Sequence, residues 1–234
     1  QGSGNVGGLV GTSNSLIKDS HAEGAVQGSG NVGGLVGTSN SLIKDSHAEG
    51  AVQGSGNVGG LVGIVDATGS NTKIEYSHAT GDVEATGADA AVGGLVGRTV
   101  LGSGPDIQFS HATGNVNAGG DRAAVGGLIG SGQWNTVGGT YATGDVEATG
   151  DQSNIGGLVG LAERGNVQLS YATGSVKASG DESNAGGLVG RIFDHAIGRS
   201  YATGKVEADG AGSRAGGLVG GGDPANVAAS FWDK

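Results

Sequence analysis

The chain has 234 residues, 54 of them glycine, with no cysteine, 4% aromatic residues and a formal net charge of −10. Without cysteine there is no disulfide framework, thiol catalyst or cysteine-ligated zinc or iron–sulfur site. The acidic balance argues against a nucleic-acid partner, which needs a basic footprint, and no apolar run reaches the roughly 18 residues of a membrane span.

Valine, leucine, isoleucine and phenylalanine together number 49, a composition that alone describes a flexible linker. The order of the glycines reverses that reading. Gly-Gly-Leu-Val/Ile-Gly begins at Gly7, Gly33, Gly59, Gly93, Gly126, Gly156, Gly186 and Gly216, at spacings of 26, 26, 34, 33, 30, 30 and 30. A second block, small-(His/Tyr)-Ala-(Thr/Glu)-Gly-x-Val, begins at Ser20, Ser46, Ser77, Ser110, Thr140, Ser170 and Ser200, and an eighth copy breaks off as Ser230-Phe231-Trp232. Two anchors in fixed order, with variable segments between them, mark a solenoid built from one supersecondary unit per repeat. The units lie near 1–26, 27–52, 53–86, 87–119, 120–149, 150–179, 180–209 and 210–234 of a single repeat domain. The first two are identical. The N-terminus has no charged-then-apolar signal and Met is absent, so a fragment of a longer chain is expected.

These pentapeptides, the Ser-(His/Tyr)-Ala-Thr-Gly-x-Val blocks and the closing Ser230-Phe231-Trp232-Asp233 resemble the GLUG-motif repeats of bacterial and archaeal surface proteins. The resemblance spans essentially all 234 residues. It implies a secreted or cell-surface protein, adhesin-like or stalk-like, and a right-handed solenoid. It assigns no catalytic chemistry to the repeats.

Each unit reads as β structure. No window shows the i, i+3, i+4, i+7 spacing of an amphipathic helix, whereas 172–178 and 202–208 alternate small or apolar with polar residues, the period of a half-buried strand. A preceding strand through Val167, Leu169 and Tyr171 is offset in phase, which implies a corner near Tyr171–Ala172. The pentapeptide supplies a third strand. The expected fold is therefore all-β, a parallel β-helix of about eight coils of 26–34 residues with three short strands each. Its core is laddered by Leu9, Leu35, Leu61, Leu95, Leu128, Leu158, Leu188 and Leu218. Strict alternation would put Leu9 and Val10 on opposite faces although both columns are apolar, so either a glycine bulge turns both inward or one column forms an exposed stripe. Pro105 and Pro224 fall in the turn segment after the pentapeptide, where a missing N–H costs nothing.

Several columns invite chemistry. His21, His47, His78 and His111 share one position with Tyr141, Tyr171, Tyr201 and Phe231. Interchange of His, Tyr and Phe reads as a ladder of stacked flat rings, with a metal ion shared between neighbouring histidines as the competing reading. Ser precedes His four times, but adjacent strand residues face opposite ways, so they form no nucleophile–base pair; a hydroxyl ladder is expected. Asp121, Asp151 and Asp181, with Asp89 and Glu182 nearby, form a solvated acidic face or, with loop carbonyls, a calcium site. No catalytic residue, metal site or cofactor is assigned. The Glu147–Lys177–Glu207 column alternates in sign. The expected function is a non-enzymatic, extracellular rod acting as stalk or adhesin, its partners being other coils or domains of the same longer protein. The alternative is a carbohydrate- or host-ligand-binding module using the long segments 64–76 and 98–109, with Tyr76, Phe109 and an exposed Trp134 facing a surface glycan or a neighbouring copy. Ice binding, the third reading, sits poorly with one threonine per coil flanked by charges.

Overall fold

A computed structural model describes residues 2–67, 72–100, 106–223 and 226–233. Those residues contain strands, turns and no helix. The strands line up in four parallel sheets that run the length of the molecule. One coil shows the plan: Asn31–Gly33 lies in the first sheet, Val36–Ser39 and Ile43–Lys44 in the second, His47–Ala48 in the third and Val52–Gly54 in the fourth. Each strand pairs with its counterpart one coil away, parallel and in register, as in Asn5↔Asn31, His78↔His111 and Val176↔Val206. The first sheet has eight rungs, Asn5–Gly7 through Arg214–Gly216, which bound about seven full turns. The fold is the parallel β-solenoid that the repeats require, with seven complete turns where eight coils are expected from the copy count.

The wall of each coil is more broken than the sequence suggests. Four sheets replace the expected three because the run 172–178 divides between two of them. The pentapeptide is a corner and not a strand: Gly33 ends one strand, Gly34 and Leu35 bend, and Val36 opens the next. The Leu61 carbonyl accepts both Leu35 N–H and Val36 N–H, at 3.0 Å each, and Leu95 does the same for Leu61 and Val62. One acceptor serving two successive donors is how the chain turns while keeping its ladder. The corner answers the question of the paired apolar columns, since a bend lets Leu35 and Val36 both face inward, each fully buried. No exposed stripe forms there. Leu61, Leu95, Leu128, Leu158 and Leu188 are likewise fully buried, Leu9 is 51% exposed in the first coil, and Leu218 packs at the edge of the core.

The second corner also sits elsewhere than expected. Leu169, expected to face inward, is 60% exposed and left-handed (φ 52°), and the chain turns at Leu169–Ser170 before the short strand Tyr171–Ala172. From Ala172 to Ala178 the expected alternation is present, with Ala172, Gly174, Val176 and Ala178 buried and Thr173, Ser175 and Lys177 exposed, although a bend at Gly174 splits the run between two sheets.

Inside, the tube has two lobes. One stacks the Leu35, Val36, Ile43 and Ala48 columns, the other the Val32, Val52 and Ala85 columns. The second glycine of each pentapeptide forms the waist: a Cβ on Gly60 would stand 2.0 Å from the Gly94 carbonyl oxygen and 2.8 Å from Ala79 Cβ. Such approaches leave no room for a methyl group, and they let a core of small residues close-pack. Pro105, Pro224 and the tips of the two long segments lie outside the described residues.

Replacing Gly60 by Ala is expected to destabilise the chain by about 1–3 kcal/mol, the cost of overpacking a filled interior. Gly119→Ala, at a position with nothing within 4 Å of a new Cβ, should leave the thermal midpoint near that of the parent. Equal midpoints for both variants would contradict the waist.

Candidate functional site: the outward columns

The third sheet carries the ring column. His21, His47, His78 and His111 stack face to face with centroids 5.4, 4.9 and 4.9 Å apart and planes within 11°, and the stack continues through Tyr141, Tyr171, Tyr201 and Phe231 at 4.5–5.3 Å. The spacing is set by the coil rise of about 4.8 Å, and each stacked pair adds about 0.5–1.5 kcal/mol beyond the area it buries. Near-parallel rings point their nitrogen lone pairs in parallel, so they do not converge on one ion as metal ligation requires. Among the described residues no three His, Asp or Glu groups come together to hold a metal. His47 Nε2 lies 3.8 Å from Glu49 on the same rung, and His21 makes the same approach to Glu23 at 3.9 Å.

The serine ahead of each ring turns inward. Ser46, Ser77, Ser110, Thr140, Ser170 and Ser200 are buried. Ser46 Oγ donates to Lys44 O at 2.8 Å and accepts Ser20 N–H at 3.2 Å, and Ser77 Oγ donates to Glu75 O and accepts Ser46 N–H. These hydroxyls satisfy the corner's backbone, and none meets an imidazole. A second column, the buried Ser153 and Ser183 and the half-buried Ser213, accepts the N–H of Ala123, Ser153 and Ser183 in the same way.

The acidic column also serves the backbone. Asp121 Oδ1 accepts Asp151 N–H at 3.0 Å, Asp151 accepts Asp181 N–H at 2.8 Å, and Asp181 accepts Ala211 N–H at 2.7 Å. Asp82, Asn115 and Asp145 repeat the device. One carboxylate oxygen per coil is thus engaged, and carboxylates one rise apart are bridged by the N–H groups between them. Asp89 pairs bidentately with Arg122 at 2.7 and 2.8 Å, and the guanidinium holds its carboxyl below the usual range. Lys177 Nζ lies 3.9 Å from Glu147, and Lys205 bonds Glu207, whose carboxyl it pulls down.

The amide ladder Asn5–Asn31–Asn57, joined at 2.8 and 2.9 Å, and its continuation Asn154–Asn184 at 3.0 Å have no counterpart in the sequence reading. Their signal was available: an Asn two residues before the pentapeptide in five units.

The residues expected to face a ligand divide. Tyr76 and Phe109 are 52% and 54% exposed and stack on each other at 5.1 Å, with Lys44 Nζ 5.5 Å from the Tyr76 ring centre. Both are left-handed at φ 50° and share a corner column with Asp45, Gly139 (φ 63°) and Leu169. Left-handed backbone is natural for Gly, Asp or Asn and strained for a bulky residue. Trp134 is not exposed. It is 2% accessible, packs in the larger lobe and donates Nε1–H to Asn166 O at 3.3 Å. Its strand, Ile129–Gly138, slips register against Val159–Gln168 between Gly132 and Thr136, and such a slip exchanges the two faces of a strand. Gly165 makes room, since a Cβ there would lie 2.7 Å from the indole Cδ1.

Compared with known proteins, residues 54–84 match the family model of the GLUG motif. That span covers one circuit of the solenoid, from the fourth-sheet strand Val52–Gly54 to the next, Val83–Ala85. No curated protein and no solved structure matches the chain.

Two predictions come from these columns. Burial lowers the pKa of His78, with His47 acting in the same direction and Glu49 against it; burial and His78 lower that of His111. The unfolded chain therefore takes up protons first. The stability these two groups confer is complete above the unfolded value of about 6.5 and is lost as pH falls through the depressed folded values. A thermal melt at pH 5 should fall below that at pH 7.5, and the double variant His78→Tyr, His111→Tyr, which extends the tyrosine half of the ladder, should narrow the difference. Separately, Leu169→Asn should raise stability by about 1 kcal/mol in a denaturant titration by relieving a left-handed Leu; a loss would show that the leucine side chain is worth more than its strain.

Proposed function

We propose that the chain is a length of rod in a secreted or cell-surface protein, acting as a stalk or adhesive repeat without catalysis. The β-solenoid and the GLUG match fit a structural repeat protein. The observation that carries the finer reading is how the polar side chains are spent. The serine, aspartate and asparagine columns bond to the next coil, at contacts such as Ser46–Ser77, Asp151–Asp181 and Asn31–Asn57. A catalytic site needs one coil to differ from the rest, with groups converging on a reacting atom. These columns run parallel and repeat. Length is the quantity such an object supplies, and identical units at 1–26 and 27–52 fit a part in which the number of coils matters more than any single position.

The test uses the producing cell. Antibody raised against the chain should label intact cells, and cells carrying a version without residues 27–52 should keep the label while the protein projects less far and attaches less well. In solution that deletion should shorten the rod by one rise, about 4.8 Å, in small-angle scattering. Labelling only after the cells are opened would overturn the surface role, and attachment indifferent to repeat number would overturn the stalk.

A further inference from the structure

One place along the rod breaks its uniformity. At the ridge where the second sheet turns toward the third, successive coils present an outward residue and then the left-handed corner residue: Lys44–Asp45, Glu75–Tyr76, Gln108–Phe109, Gly138–Gly139 and Gln168–Leu169. Only at 138–139 do both positions lack a side chain among these five. The floor stays in register, because Phe109 N–H donates to Gly138 O at 3.1 Å and Gly139 N–H to Gln168 O at 3.2 Å. The result is a notch one coil wide, walled by Gln108–Phe109 on one side and Gln168–Leu169 on the other, with the Phe109 ring leaning over Gly139 and Thr136 beside Gly138.

We propose that this notch binds a neutral pyranose ring of a glycan. One face of Phe109 stacks on Tyr76; the ring leans over Gly139, where a Cβ would lie 2.9 Å from its Cδ1, so no side chain of that coil covers it. The flanking backbones stand two rises apart, about 10 Å, and a flat ring in contact at about 3.5–4.0 Å with each wall takes the place of the missing rung. Leu169, 60% exposed, supplies the opposite apolar wall. The amides of Gln108 and Gln168, each able to donate and accept, suit the hydroxyls at the rim of a sugar. None of the six residues is charged, which favours a neutral sugar over an acidic or cationic one. The chain's net charge of −10 disfavours a nucleotide. The inference goes beyond the rod reading, which survives its failure.

The test is a titration of the chain with neutral oligosaccharides of glucose, galactose and N-acetylglucosamine, read by saturation-transfer NMR and calorimetry. Saturable millimolar or tighter binding is expected for at least one of them. Phe109→Ala should weaken it about tenfold, the equivalent of about 1.4 kcal/mol. Gly139→Asn, which keeps a left-handed-tolerant residue and fills the notch, should weaken it as much. Asp45→Asn, in the same column three coils away, should leave it unchanged. Thermal melts confirm that each variant is folded, and Leu169→Ala replaces any that is not. No binding by the parent chain, or binding that both notch variants leave intact, overturns the proposal.

Discussion

Everything in this molecule depends on coil-to-coil hydrogen bonding at a fixed rise. Parallel, in-register pairing places each residue directly above its counterpart one repeat away, as Leu35 donates to Leu61 and Leu61 to Leu95. A column must therefore consist of residues that tolerate their own kind at about 4.8 Å. Aliphatic side chains do so by packing, aromatic rings by stacking and asparagines by passing one amide hydrogen along. Aspartates manage it because an N–H of the next coil sits between successive carboxylates, as at Asp151 and Asp181. Lysine and glutamate alternate instead, as in Glu147 and Lys177.

That constraint explains which parts of the fold were legible in the sequence. Register and column membership come directly from repeat spacing, so the leucine ladder, the ring stack and the inward serines could be read from one line of text. The break points could not. Gly-Gly-Leu-Val reads as a strand on paper, yet glycines at its first two positions let the backbone turn, and a carbonyl such as that of Leu61 then holds two donors. Leu169 looked inward because it is apolar and two residues from Val167; the corner needs a left-handed residue there, and apolarity says nothing about φ. Trp134 looked exposed because it lies in a variable segment, and a register slip reversed its face. Local irregularities of this kind leave the repeat period intact, which is why periodicity misses them.

The candidate site was legible to a lesser degree. Tyr76 and Phe109 were visible as aromatics in variable segments, but their mutual stacking is a property of register. The notch beside Phe109 is defined by what Gly138 and Gly139 lack, and in a chain with 54 glycines two more carry no signal until their neighbours are placed. The ring column changes from histidine to tyrosine halfway along with little change in spacing, since His111 and Tyr141 stack at 4.5 Å. Geometry is thus shared along the ring column while imidazoles are confined to its first four rungs.

The same ladders determine how the rod fails under tension. Each coil bonds only to the coils above and below it, so a pull on the two chain ends loads one interface at a time, and the outermost coil peels before the next is stressed. A folded coil contributes about 4.8 Å of length, whereas a peeled one of 30 residues, such as 150–179, spans on the order of 100 Å when extended at about 3.3–3.6 Å per residue. The rod therefore yields in large, repeated steps, each of which absorbs work before the next coil is loaded.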